Sequence, residues 1–262
     1  MMNNVLDRII ADKRREVAAT KALVTPGVMR EMAEAVIVPT VSMSGALAAS
    51  PAGIIAECKR RSPSKGEIHP LADVAKVVGG YERGGASACS VLTDTPYFGG
   101  ALSDLAIARA TVALPLLRKD FIVDEYQIHQ ARVYGADAIL LIASALTREE
   151  IARFIAEAHR LGLETLLELH AMEELQKFVP DTDMVGVNNR NLSTFVTDTA
   201  ISAEMARLLP AGTVKVAESG LRTMEDVEAL RELGYRGFLI GETFMKTADP
   251  GETLKNFING TV

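Results

Sequence analysis

After Pro39 the chain settles into an alternation that restricts its fold more than any other feature. Short runs of Val, Ile and Leu recur, each followed by a longer stretch with helical spacing. The runs are GIIAEC (53–58), ACSVL (88–92), LPLLRK (114–119), DAILLI (137–142), ETLLEL (164–169), MVGVN (184–188), TVKVAE (213–218) and RGFLIG (236–241). Helical patterns fall over Ala72–Tyr81, Leu102–Ala110, Glu125–Tyr134, Arg148–Leu161, Met172–Phe178, Thr199–Leu208, Met224–Leu233 and near Glu252–Ile258. A strand apolar at consecutive positions is buried on both faces, as in a parallel sheet covered by helices. Eight such units in 262 residues predict a single (β/α)8 TIM barrel. A doubly wound open sheet, the structural runner-up, uses fewer strands for this length.

The punctuation agrees. RGGASACSV, YGADAILL, LGLETLLEL and LGYRGFLI each read helix, glycine, strand. A glycine after the last helical turn adopts the left-handed C-cap without a Cβ clash. Ahead of the alternation, Val5–Ala18 sets Leu6, Ile9, Ile10 and Val17 at helical spacing with Asp7, Lys13, Arg14 and Arg15 between them. Residues 1–48 are therefore expected to form an N-terminal helical extension of one domain covering 1–262.

A net charge of −6 argues against a general affinity for nucleic acid or an anionic membrane surface. The first twenty residues hold no apolar core of the secretory type, and no apolar run approaches the ~18 residues of a membrane span. Cys58 and Cys89 are far apart and lie in no paired motif. A disulfide framework is excluded and a cytoplasmic location is expected. The sequons at Asn191-Leu192-Ser193 and Asn259-Gly260-Thr261 carry little weight in that setting.

Function is suggested where the apolar runs end. The first closes on Glu57 and Lys59, the third on Lys119-Asp120, the fifth on Glu168. The sixth closes on Asn188-Asn189-Arg190, the seventh on Glu218-Ser219-Gly220, the eighth on Gly241-Glu242. Strand side chains alternate, so Glu57 and Lys59 share a face while Cys58 points the other way. Each polar end taken singly fits a strand emerging into solvent. Taken together they converge on the barrel's C-terminal mouth, a costly arrangement unless the charges are paired or used.

No metal site is expected, because His69, His129, His159 and His170 are scattered, with His129 and His159 read as helix-surface residues. There is no Gly-x-Ser-x-Gly elbow and no Walker loop, and GGYERGG (79–85) closes a helix rather than opening one. The inventory of lysines, carboxylates and an asparagine predicts general acid–base catalysis without a cofactor. Glycines directly after the seventh and eighth runs favour a phosphate there, met by backbone N–H groups.

The stretches IIAECKRRSPSKG, LLRKDFIVDEYQI, LLELH, VGVNNRNL, VAESGL and GFLIGETFM together closely resemble the indole-3-glycerol phosphate synthase family, over nearly the whole chain. The resemblance implies a lyase of tryptophan biosynthesis. Its substrate is a small phosphosugar bearing an anthranilate group, 1-(2-carboxyphenylamino)-1-deoxyribulose 5-phosphate, which loses CO2 and water. It implies Lys119 as the acid at the carbonyl, and Lys59 as holder of the substrate carboxylate or acid for dehydration. Glu168 and Glu57 are the base candidates, with Glu218 and Asn188 orienting them. Ser62, Pro63, Phe98 and Phe121 line the anthranilate pocket, and Arg190 meets an anionic group. Ser219, Gly220, Gly241 and Glu242 cradle phosphate, Glu242 through its backbone N–H with its side chain turned away. On this reading Lys59-Arg60-Arg61 supplies local positive charge to an anionic substrate, and 62–66 forms a loop over the site. A monomer or a weak homodimer is expected.

Two alternatives are weighed. Phosphoribosylanthranilate isomerase shares the architecture but is expected to use a cysteine or aspartate pair, whereas the first strand here offers Glu-x-Lys. A non-catalytic phosphosugar-binding barrel would be favoured by loss of a lysine from strand one or three, and both are present.

Overall fold

The computed structural model describes residues 5–190, 197–198 and 200–261. Three helices precede the first strand: α1 (Val5–Leu23), α2 (Pro26–Glu34) and α3 (Met43–Ala49). Eight parallel strands follow: β1 (Ile54–Cys58), β2 (Ala88–Leu92), β3 (Leu116–Lys119), β4 (Ala138–Ile142), β5 (Glu164–Leu169), β6 (Met184–Asn188), β7 (Val214–Glu218) and β8 (Tyr235–Ile240). They close on themselves, with Ile55 in register with Leu239 on one side and Ala88 on the other. Outside the strands lie α4 (Val74–Gly84), α5 (Thr95–Phe98), α6 (Leu102–Thr111), α7 (Glu125–Val133), α8 (Arg148–Arg160), α9 (Ala200–Ala206), α10 (Met224–Glu232), α11 (Glu242–Met245) and α12 (Pro250–Ile258). The barrel predicted from the alternation is the barrel observed.

Period-two alternation divides the core into two shells. Ile55, Ala88, Leu117, Ala138, Leu140, Leu166, Met184, Val216 and Leu239 fill the inside of the barrel. Ile54, Ala56, Cys58, Cys89, Leu116, Ile139, Leu141 and Val185 belong to the outer shell, under the helices. The bottom is plugged by Met43 and Leu47 of α3, both wholly buried against the inner shell. Glu164, at the start of β5, fixes that plug by accepting from the Ser44 N–H at 2.8 Å and the Ser42 hydroxyl at 2.6 Å. The last helix of the extension is therefore part of the barrel's core.

The four helix–glycine–strand junctions adopt the predicted geometry, with Gly85, Gly135, Gly162 and Gly234 all at positive φ. Gly85 at φ 94° terminates α4 and lets Ala86 N–H reach back to the Tyr81 carbonyl at 3.0 Å. Inside α4, Gly80 admits the last helix: a Cβ there would lie 3.2 Å from Gly251 Cα. The GGYERGG run thus serves helix packing.

Three expectations are corrected. Met172–Lys177 is a 3-10 helix rather than an α-helix. It is six residues long with no side-chain N-cap, and Val179-Pro180 follows at once, so the tighter i→i+3 turn fits the short span. His129 is buried, not on a surface, because α7 packs against α8 and its Nε2 meets Glu157 Oε1 at 2.5 Å. On α1 the buried positions are Leu6, Ile9, Lys13 and Val17, so a lysine stands in the apolar stripe while Ile10 is only half-buried. The sequon at 191–193 lies outside the described residues.

Candidate active site

The inner shell ends in charge. Two residues beyond Ile55 comes Glu57, and two more bring Lys59; Leu117 is followed by Lys119, Leu166 by Glu168 and Val216 by Glu218. The same alternation that fills the barrel delivers these groups to one mouth. They line a cavity of about 450 Å³, an ordinary size for a small-molecule site. Every site residue named from the sequence lines it: the acid–base set, Asn188, Ser62, Pro63, Phe98, Phe121, Arg190, Ser219, Gly220, Gly241 and Glu242.

Lys119 sits at the centre. Its Nζ lies 3.1 Å from Glu168 Oε2 and 3.7 Å from Glu218 Oε2. Burial opposes its charge, but Glu168, Glu218 and Glu57 outweigh that and hold its pKa above the ordinary lysine value. Burial likewise raises Glu168, yet Lys119 and His170 pull it well below the usual carboxylate range. Glu218 goes the other way: burial and the neighbouring Glu168 charge push it well above that range. The two carboxylates therefore titrate as a pair, with Glu168 shifted down and Glu218 up. Glu57 is also lowered, because Lys59 and Lys119 outweigh its burial; Lys59 Nζ is 2.5 Å from its Oε1. Two lysines thus face three carboxylates at the mouth.

On another wall the Phe98 and Phe121 rings stand 6.1 Å apart at 41°. Leu6 and Ile9 of α1 line the same cavity. Residues 61–67 form a small antiparallel ladder, Arg61–Ser62 against Gly66–Glu67, which brings Ser62, Pro63, Ser64 and Lys65 over the opening. Arg190 holds this loop by donating to Ser64 Oγ at 3.0 Å.

The third wall is built from the ends of β7 and β8. Ser219 and Gly220 are consecutive residues at positive φ, 67° and 84°, and a non-glycine residue in that region is strained. Asn189 steadies the turn by donating from Nδ2 to the Ser219 carbonyl at 3.1 Å. Gly241 allows a close approach: a Cβ there would fall 2.5 Å from Glu57 Oε1 and 3.1 Å from Lys59 Nζ. Glu242 begins α11, but its carboxylate is not turned away. It lies 3.3 Å from Lys65 Nζ and 3.5 Å from Arg190 Nη2, because those two cations converge on it from the loops opposite.

A second correction concerns the basic run. Arg60 donates to the Gly99 carbonyl at 2.9 Å and to Asp104 at 3.1 Å; Arg61 donates to the Thr95 and Pro96 carbonyls at 2.9 Å each. Both brace the α5 segment, whose carbonyls need donors, and neither lines the cavity. The positive charge at the mouth comes from Lys59, Lys65, Lys119, Arg190, Arg222 and Lys246.

Sequence reasoning passed over three contributors. His170 Nε2 lies 3.0 Å from Glu168 Oε1, a partner legible in the LELH motif. Gly186 makes room for one of the cavity's carboxylates: a Cβ there would sit 2.2 Å from Glu218 Oε1. The third contributor is the α1 wall itself. Among the described residues there is no group of three His, Cys, Asp or Glu arranged to hold a metal ion, and no helix long and apolar enough to cross a membrane.

Known proteins bear on this geometry. Solved structures with the same fold include a tryptophan synthase complex from Pyrococcus furiosus, with TM-score 0.60, 14% identity, and coverage of 80% of this chain and 97% of that one. A thiamine phosphate pyrophosphorylase from Pyrococcus furiosus gives TM-score 0.59 at 14% identity, covering 84% and 98%. At that identity the likeness is one of fold. Sequence relatives are much nearer. An indole-3-glycerol phosphate synthase of Bacteroides thetaiotaomicron is 51% identical over 259 residues, 98% of each chain. One of Neisseria meningitidis serogroup B is 48% identical over 254 residues, 95% of this chain and 96% of the relative. One of Carboxydothermus hydrogenoformans is 42% identical over 258 residues, covering 95% and 98%. The family model described as indole-3-glycerol phosphate synthase matches residues 6–257, from the α1 wall to the last helix, and the chain belongs to that family.

Proposed function

We propose that this chain converts 1-(2-carboxyphenylamino)-1-deoxyribulose 5-phosphate to indole-3-glycerol phosphate, CO2 and water, by lysine and glutamate acid–base chemistry. The single observation that carries the reading is Lys119, an ammonium held between Glu168 and Glu218 in a cavity whose other walls offer two phenyl rings and Arg190. The aryl carbon bearing the carboxylate attacks the ketose carbonyl, and charge develops on that oxygen. Lys119, firmly protonated, stabilises the oxygen and gives it a proton. The carboxylate then leaves as CO2, its bonding electrons restoring the ring. Departure of the new hydroxyl as water takes a second proton, and loss of one hydrogen from the ring system completes the indole. Two protons are taken up and one released, which balances an ionised substrate carboxylate.

Lys59 is suited to the substrate carboxylate or to the departing hydroxyl, and the ionised Glu168 or Glu57 to the released proton. Asn188 and Glu218 orient them. Ser62, Pro63, Phe98 and Phe121 contact the anthranilate ring, with Arg190 at an anionic group. Phosphate is assigned to Ser219, Gly220, Gly241 and the backbone N–H of Glu242, where Lys65 and Arg190 add charge once they leave the Glu242 carboxylate.

The test is direct. Purified protein mixed with the carboxyphenylamino-deoxyribulose phosphate gives rising indole fluorescence with one CO2 per indole formed. Intact substrate after prolonged incubation with folded protein would overturn the assignment.

A further inference from the structure

The mechanism leaves one buried ionic group unused. Lys13 on α1 is 1% exposed, although lysines are almost never fully buried without a task. Its Nζ lies 3.0 Å from Asp94 Oδ2 and 3.0 Å from Asp120 Oδ1, with Glu16 of its own helix at 2.9 Å. Each aspartate belongs to a turn that presents an aromatic ring to the cavity. Asp94 caps α5, accepting from Tyr97 N–H at 2.8 Å, and the next residue of that helix is Phe98. Asp120 accepts from Phe121 N–H at 2.8 Å, while Thr93 Oγ1 at 2.6 Å and Arg118 at 2.9 Å fix its other oxygen. One and two turns before Lys13, on the same face of α1, Ile9 and Leu6 line the cavity beside those rings. The neighbouring Asp12 accepts from the Tyr97 hydroxyl, a second tie between α1 and α5.

We propose that Lys13 is a positioning residue for the aromatic end of the substrate site: its ammonium locks α1, the Phe98 turn and the Phe121 turn into one wall that grips the substrate's aryl group. The inference rests on the reading of this cavity as the site of the anthranilate ring. Without Lys13, α1 would keep Leu6, Ile9 and Val17 and the outlying ties of Asp12 to Tyr97 and Lys21 to Asp124, and neither tie reaches the Phe121 turn. Two aspartates from separate loops fix it at one register, because sliding the helix would pull the buried ammonium from both and leave it only Glu16 of its own helix. A wall gripping the ring equally before and during reaction contributes uniform binding, and its loss appears in KM rather than kcat.

The experiment compares Lys13→Met, Lys13→Arg and Lys21→Met. Lys21 pairs with Asp124 at 2.6 Å and anchors the same helix away from the cavity. With the carboxyphenylamino-deoxyribulose phosphate, Lys13→Met is expected to raise KM about tenfold or more with kcat within about threefold. Lys13→Arg recovers part of the loss, and Lys21→Met leaves KM unchanged. Binding of free anthranilate, read by its own fluorescence, should weaken in parallel. An unaltered KM in folded Lys13→Met overturns the proposal, as does an equal rise in Lys21→Met. If Lys13→Met does not fold, Asp94→Asn carries the same expectation and the same refutation. Wild-type protein that binds anthranilate without turning over the phosphosugar would refute the proposed reaction and leave the role of Lys13 to the binding series.

Discussion

Strand β3 separates two buried ionic clusters that differ in what they leave undone. Lys119 points inward to Glu168 and Glu218; its neighbours Arg118 and Asp120 point outward. On the outer side Arg118 donates to Thr93 Oγ1, the Gln127 carbonyl and Asp120, and Lys13 bridges Asp94 and Asp120. Two cations meet Asp94, Asp120 and the half-exposed Glu16 there, and neither cation lines the cavity, which this cluster reaches only at Asp120. On the inner side two lysines meet three carboxylates, and the cluster opens on a 450 Å³ cavity. Burial is alike in both. Access separates them: the inner cations face the cavity, which suits them to chemistry, and the outer ones do not, which suits them to fastening.

The largest expected break in that comparison is Lys119→Ala. A positioned acid contributes on the order of 10²–10⁴ in rate, and an electrostatic stabiliser adds to it, so turnover should fall at least a thousandfold. The outer cluster faces away, so the circular-dichroism spectrum and cooperative melting should persist. Turnover within tenfold of wild type would remove Lys119 from the centre of the chemistry.

Gly186→Ala tests the inner cluster without touching a charge. The new Cβ would lie 2.2 Å from Glu218 Oε1 and 3.3 Å from Leu166 Cδ1, so the carboxylate must leave its place between Lys119 and Glu168. Displacement of this kind costs roughly 10–100-fold in kcat. A variant as active as wild type would show that Glu218 need not sit where it does.

The difference between the clusters also explains how far the sequence could be read. Period-two alternation assigns Glu57, Lys119, Glu168 and Glu218 to the barrel interior, since each follows an inner-shell residue by two. That inference needs only strand geometry, and the structure agrees. The outer cluster obeys no such local rule. From the sequence, Lys13 falls among the charged residues between the apolar positions, although the spacing 6, 9, 13, 17 puts it in the apolar stripe. Its partners lie some eighty and one hundred residues downstream, and only tertiary packing unites them. Arg60 and Arg61 misled for the same reason: their acceptors are carbonyls of an α5 segment four residues long, too short for periodicity to announce. Gly186 looks like any strand glycine until the side chain of Glu218 is placed over it.

Asp120→Asn breaks the outer cluster and spares the inner one. It leaves Arg118 and Lys13 undercompensated, a loss on the order of 3–5 kcal/mol, or roughly 10 °C in Tm for a chain of this size. The pH dependence follows from the same group. Burial would raise the Asp120 carboxyl, but Arg118 and Lys13 outweigh it and bring its pKa down to about 2. A depressed folded-state pKa gives stability that is fully present above the unfolded value near 3.9 and is lost as pH falls towards 2. Wild type minus Asp120→Asn, followed as Tm from pH 5 to pH 2, should therefore narrow across that window. A constant difference would mean that the carboxylate's charge is not what stabilises the cluster.

The smallest effect belongs to ion pairs with neither burial nor a cavity. Glu34 of α2 meets Arg160 of α8 at 2.8 Å, with both side chains more than two-fifths exposed. Its geometry is as good as that of Lys13 with Asp120 at 3.0 Å, so distance alone predicts an equal contribution. Solvation predicts otherwise: an exposed pair keeps its water, is screened within about 8 Å at physiological salt, and contributes roughly 0–1 kcal/mol. Glu34→Gln should then shift Tm by no more than about 2 °C, a shift that 1 M NaCl erases. The Asp120→Asn deficit should survive the same salt, because charges on a group only 2% exposed are little screened by ions. If salt were to erase both alike, the outer cluster would be a surface network in solution, and the register it imposes on the α1 wall would go with it.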